Sequence, residues 1–193
     1  MAEKKTVLIL APAADTSGGR DIMDKLLKKG ALLPNYTPGP LPDEGVEPGT
    51  AVSIAPSDVA KGVEAGTALM LVDMGSASAP EVDGALETIL DAMDRRTTLA
   101  LVAKNALLLH GSGIDTKAGT VDRPVTSKDV LPTLAAIGEF PLGRACTGAV
   151  IYQALKSPNA KLDEVRKLKE AVQRMEGALA RDNREPWEKH DCA

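Results

Sequence analysis

The chain reads as an α/β protein: a doubly wound, mostly parallel sheet flanked by helices, with a C-terminal amphipathic helix appended. Three observations predict this. Thr6 to Ala11 and Thr67 to Asp73 are apolar runs without period-two alternation, the pattern of strands buried on both faces of a parallel sheet. Between them the apolar spacing changes to three and four, as on one face of a helix. The connections are short, so strand and helix alternate as in a doubly wound sheet.

Each element follows from local residues. Asp21 to Gly30 places apolar side chains at 22, 23, 26 and 27, lysines late, and a glycine at the stop. Pro34 to Pro48 is crowded with Pro and Gly, which cannot sustain a helix or a central strand, and predicts an exposed loop. Ala51 to Ala55 fits a short strand, with Ser57 as the N-cap of a helix ending near Gly66. A helix follows from about Glu81 to Arg95. Thr97 to Leu109 is apolar except at Lys104-Asn105, which predicts two short strands or a bend. Asp129 to Gly138 reads as a helix entered near Ser127, with Pro132 tolerated in its first turn, and a further helix is expected over Thr147 to Leu155.

The chain of 193 residues, 44% hydrophobic and 26% charged, is long enough for one sizeable core. That core is assigned to residues 1–158. Only four residues are aromatic (Tyr36, Phe140, Tyr152 and Trp187), so Ala, Val, Leu, Ile and Met must fill the interior. The net charge of −4 gives no general attraction for phosphate backbones, and nucleic acid is an unfavoured partner. No run approaches the roughly 20 apolar residues of a membrane helix, and Val7 to Ala11 is too short for a signal-peptide core, so a cytoplasmic address without membrane contact is expected. Cys146 and Cys192 offer neither a disulfide framework nor a CxxC knuckle.

Residues 159–181 form a charged segment in which Val165, Leu168, Val172, Met175 and Leu179 follow 3-4-3-4 spacing, as in a heptad seam. Such a helix either packs on its own domain or meets a protein partner or second copy. Residues 182–193 are polar and expected to be a loose tail.

Gly119 to Leu155 resembles the late core of sulfatases and related phosphatases of the alkaline phosphatase superfamily. There, a helix opening "D-x-x-P-T" is followed by glycine and Pro-Leu motifs and a helix that starts at glycine. Asp129, Pro132, Thr133, Gly138, Pro141, Leu142, Gly148 and Leu155 stand in those places. Leu26, Gly30, Asn35, Tyr36 and Thr37 are similar to the family's "L-x-x-x-G-x-x-x-x-N-Y-T". Thr67 to Arg95 resembles the phosphoglycerate-mutase branch, whose strand ends in "D-M-x-G-H". The resemblance spans about two thirds of the chain and preserves the family's order.

It implies two divalent metals (Zn, Mn or Mg) held by Asp and His, plus a hydroxyl or thiol nucleophile. The sequence departs from that pattern at the ligands: Ala11-Pro12, Asn105-Ala106-Leu107 and Gly75-Ser76 occupy their places, and Asp15 lies three residues late. The expectation is therefore a degenerate, non-catalytic relative, a pseudoenzyme serving binding or assembly, with no cofactor. One alternative is a diverged phosphoester or sulfoester hydrolase or phosphomutase using Ser57, Asp73 and His110, which would need the two metals. Another is a subunit of a larger complex. Gly111, Ser112 and Gly113 could form an anion-cradling turn or an ordinary loop. His190, Asp191 and Cys192 are adjacent donor types that seldom converge on one ion.

Overall fold

The computed structural model describes residues 4–16, 21–41, 45–144, 146–156, 165–166 and 168–177. The chain divides into two compact units, Met1–Lys156 and Ser157–Ala193.

The first unit is built on a seven-stranded sheet of order β4-β5-β1-β6-β7-β2-β8. Its strands are β1 (Lys5–Leu10), β2 (Ala31–Leu33), β4 (Ala51–Ser53), β5 (Leu69–Asp73), β6 (Thr97–Val102), β7 (Leu107–Gly111) and β8 (Gly119–Thr120). β4, β5, β1 and β6 are mutually parallel, and β7 alone runs against its neighbours β6 and β2. A separate parallel pair joins β3 (Tyr36–Thr37) to β9 (Val125–Thr126).

Both faces of the central strands are buried, which is why these strands carry no polar alternation. Val7, Ile9, Met70, Val72, Leu99 and Leu101 pack on one face with Met23 and Leu26 of α1 (Asp21–Lys29), Val59 and Val63 of α2 (Val59–Glu64), and Val82, Leu86 and Ile89 of α3 (Ala79–Ala92). Leu8, Leu69, Ala100, Leu107 and Leu109 pack on the other with Val130, Leu131 and Leu134 of α4 (Ser127–Gly138) and with Ile151 and Leu155 beyond it.

Several expectations are corrected. The Pro-rich segment 34–48 is not simply an exposed loop: Tyr36 is 5% exposed and pairs with Val125, and Val46 bridges to Leu142. Hydrogen bonding to a second segment gives this proline-rich stretch the order that its own propensity lacks. Ser57 is exposed and lies inside the 3-10 turn Pro56–Asp58, with Ala55 at that turn's cap and Asp58 at the cap of α2, so it is not the N-cap. Two short strands do flank Lys104-Asn105, as one of the two expectations had it, and form a β6-β7 hairpin, but β7 runs past Leu109 through His110 and Gly111. α3 begins earlier than Glu81 because Ser78 and Glu81 form a capping box: the Ser78 N–H and hydroxyl both donate to the Glu81 carboxylate at 2.7 Å.

The helix expected over Thr147 to Leu155 does not form. Residues 146–151 form no regular secondary structure, and only Tyr152–Ala154 makes a 3-10 turn. Pro132 sits in the second turn of α4, not its first. In the second unit the expected helix is present at 165–166 and 168–177; the rest of 159–181 and the tail 182–193 lie outside the described residues.

Candidate functional site

The segment with the strongest motif content is α4 and the irregular stretch that crosses it. Asp129 is the third residue of α4, and its Oδ2 accepts from the Thr126 N–H (2.9 Å) and hydroxyl (3.1 Å), which satisfies the exposed start of the helix. Its other oxygen, Oδ1, accepts from the Ala149 N–H at 2.7 Å. Burial opposes ionisation of this carboxyl but is outweighed by the hydrogen bonds from the Thr126 and Ala149 amides and the Thr126 hydroxyl, with Arg123 assisting, so its pKa is lowered. One turn on, the Thr133 hydroxyl donates to the Asp129 carbonyl (2.7 Å) and accepts from the buried Ile151 N–H (3.0 Å).

Pro132 fits the same arrangement. It has no N–H, so the Lys128 carbonyl lacks the amide partner that residue 132 would otherwise supply. The crossing segment lies against that carbonyl at Gly148, where a Cβ would stand 2.0 Å from Lys128 O and 2.8 Å from the Asp129 nitrogen. Only glycine permits so close a passage. Arg123 completes the clamp by donating to the Val150 carbonyl (3.3 Å) and to Gln153 (3.0 Å). Asp129 and Thr133 thus hold residues 146–151 across the helix, and Gly148 lets that segment pass close to it. Sequence reasoning singled out these residues but missed their use, because the partner segment is read locally as helix.

The carboxyl edge of the parallel strands is different. After β1, the Ala11 N–H donates to Val102 O, Ala14 N–H to Ala11 O, and Lys104 N–H to Ala14 O. Ala11, Ala14, Ala103 and Ala106 are at most 3% exposed and seal this edge with small apolar side chains. Two of the four, Ala11 and Ala106, stand where the sequence resemblance would put metal ligands. Asp73, exposed at the end of β5, accepts from the Gly75 N–H at 2.9 Å in a local turn. Among the described residues, no three His, Cys, Asp or Glu side chains gather as a metal-ligand set, so the residues present do not fit a two-metal centre.

Asp73 and His110 are not brought together. Asp73 pairs through Leu10 with Val102, whereas His110 pairs with Leu99. They are three residues apart along the strands and three strands apart across the sheet, about 17 Å from standard strand spacings. Strand alternation also puts them on opposite faces: Leu69 belongs with the α4 side and Leu108 with the α1 side. Ser57 lies past the end of β4, on the Asp73 side of the sheet.

His110 lines a cavity of ≈ 380 Å³ with Lys25, Leu26, Lys28, Lys29 and Leu90, and its buried Nδ1 has no hydrogen-bond partner. Burial lowers its pKa and the Lys29 charge adds to this, against a hydrogen bond with the Leu26 backbone. The imidazole is thus favoured in its neutral form.

The Gly111-Ser112-Gly113 turn does not present a set of free amides. The Ser112 N–H donates to Thr97 O (2.9 Å) and the Ile114 N–H to Gly111 O (3.3 Å), while Ser112 O accepts from the Thr98 hydroxyl (2.7 Å). Both glycines have positive φ, 97° and 77°, which the tight reversal requires. The turn is occupied by its own protein. A larger cavity, ≈ 610 Å³, lies toward the amino end of β1, β4 and β5, lined by Lys4, Thr50, Val52, Thr67, Glu139 and Phe140, and none of the expected site residues reaches it. Cys146 is a free thiol whose pKa is raised by burial despite a hydrogen bond from Gly148. Cys192, His190 and Asp191 lie outside the described residues.

On the second unit, Val165, Leu168, Val172 and Met175 are 56%, 67%, 48% and 59% exposed. No helix among the described residues is long and apolar enough to cross a membrane. No protein-family model matches this chain, and no curated protein is found to be similar to it.

Proposed function

We propose that this protein is a non-catalytic relative of the alkaline phosphatase superfamily, acting as a binding or assembly module whose contact surface is the C-terminal helix. One observation carries the reading: the motif residues are engaged in building the fold, while buried alanines occupy the places where the family would bind metal. Asp129 and Thr133 direct their polar atoms at backbone amides and carbonyls within the chain. Ala11 and Ala106 have no side-chain donor to offer an ion. Hydrolase chemistry through Ser57, Asp73 and His110 needs groups within hydrogen-bond reach of a common substrate. The strand register separates the last two by several times that distance. A contact role is favoured by the run of exposed apolar side chains on an otherwise charged helix, since exposed apolar patches mark interaction surfaces.

The test is metal retention. The full chain is incubated with zinc, manganese and magnesium, passed through gel filtration and assayed by elemental analysis. Near-zero retention is expected. Two equivalents per chain, lost in Asp73→Ala, would overturn the proposal and restore the hydrolase reading, as would turnover of a phosphate or sulfate ester abolished by the same substitution.

A further inference from the structure

We infer that the cavity at His110 binds a small organic oxyanion, a carboxylate or a phosphate monoester. Its charged head meets His110 and the lysines of α1, and its apolar body lies against Leu26 and Leu90. The inference goes beyond the assembly role and does not rest on it. The cavity, ≈ 380 Å³, belongs to the first unit and is walled by α1, the end of α3 and β7. Its volume falls within the range of small-molecule sites, about 300–1,000 Å³. His110 follows Leu108 by two residues on β7, so it shares the face that Leu108 turns toward α1.

Charge selects the ligand. Lys25, Lys28 and Lys29 line the cavity at helical spacings of three and four, which puts them on one side of α1. No Asp or Glu lines it: Asp24 of α1 and Glu87 and Asp91 of α3, close in sequence to lining residues, are not part of the wall. Among the described residues, no carboxylate pairs with any of the three ammonium groups. Lys28 and Lys29 in the last turn complement the helix dipole. That account leaves out Lys25, a turn earlier, and gives no role to the buried His110 Nδ1, which has no hydrogen-bond partner. An anion answers both. It balances the three like charges and, as an opposite charge beside the ring, favours the imidazolium, in which Nδ1 carries a proton and donates to it. Leu26 is fully buried and Leu90 partly buried, and contact with them gives the carbon body of the ligand its share of the binding.

The experiment is an NMR titration of the full chain, isotopically labelled at histidine, with butyrate, butyl phosphate, inorganic phosphate and butanol at constant ionic strength. The chain holds two histidines, and His110→Gln identifies the His110 signals by their loss. Butyrate or butyl phosphate is expected to shift the His110 ring resonances saturably, with a dissociation constant in the millimolar range and at least about tenfold below that of butanol. The tighter of the two assigns the head as carboxylate or phosphate. Lys28→Gln and Lys29→Gln together should weaken that binding at least about tenfold. Both lysines are exposed, so the fold is kept. Lys61→Gln, which removes a lysine paired with Asp58 on α2, should leave binding unchanged. The absence of a saturable shift up to about 50 mM of either organic anion would overturn the site. Equal affinity for butanol, or binding indifferent to the double lysine substitution, would do the same. Inorganic phosphate binding as tightly as butyl phosphate would overturn the organic ligand.

Discussion

The clamp around α4 and the carboxyl edge of the parallel strands differ in how they use their side chains. At the clamp, Asp129 and Thr133 hold one crossing segment by hydrogen bonds of 2.7 and 3.0 Å, and Gly148 allows a backbone approach that only glycine permits. At the carboxyl edge, Ala11, Ala14, Ala103 and Ala106 fill space, and the polar residues Asp73 and Asn105 stand exposed. The contrast teaches that residues as motif-like as Asp129 and Thr133 can be sustained by structural demands alone. Asp129 and Thr133 have roles here that need no substrate.

The comparison can be broken by mutation. The largest effect is expected for Gly148→Ala, which drives a methyl group into the Lys128 carbonyl and should cost about 3 kcal/mol, read as a lower urea midpoint with unchanged slope. Asp129→Ala removes the cap and the Ala149 contact together and should cost about 2 kcal/mol, whereas Asp129→Asn, which keeps an acceptor oxygen, should recover part of that loss. If Asp129→Ala melts like the parent chain, the clamp is not a stability element and the contrast fails. Thr133→Val keeps the volume but leaves the Ile151 N–H buried without a partner, at about 1.5 kcal/mol in a thermal or urea titration. Asp73→Ala sharpens the contrast from the other side: on an exposed strand end it should move stability by less than about 0.5 kcal/mol.

A smaller effect concerns pH. The Lys5 ammonium and the Thr97 hydroxyl, hydrogen-bonded to Asp94, lower its pKa from the usual 3.8 to about 2. A carboxylate depressed in the folded state contributes stability that is complete above its unfolded pKa and is lost as pH falls through the folded one, here between about pH 4 and 2. Asp94 is 42% exposed, so solvent screening holds the contribution below about 1 kcal/mol. Thermal melts at pH 5 and pH 2.5 should show a smaller acid-induced drop for Asp94→Asn than for the parent chain; equal drops would remove this pair from the account.

Much of the fold was legible from local pattern. Unbroken apolar runs at 6–11 and 67–73 are sufficient for buried parallel strands, because a strand covered on both faces has no position that favours a polar side chain. Three-and-four spacing was likewise sufficient for α1, α3 and α4. The S-x-x-E pattern at Ser78 would also have set the start of α3, since both of its hydrogen bonds are local.

Tertiary structure decided the rest. Residues 147–155 have helical spacing, yet 146–151 form no helix, because Asp129, Thr133 and Arg123 supply hydrogen bonds to their backbone that the isolated segment cannot anticipate. Tyr36 is buried in a proline-rich stretch because Val125, far along the chain, pairs with it. Asp73 and His110 fall on opposite faces because the β6-β7 register sets His110 against Leu99, three residues from the Val102 level of Asp73, and an odd offset along a strand inverts the face. Composition and periodicity determine which segments seek burial, since those preferences act over a few residues. Which segments meet is settled by long-range pairing, whose energy depends on partners distant in sequence.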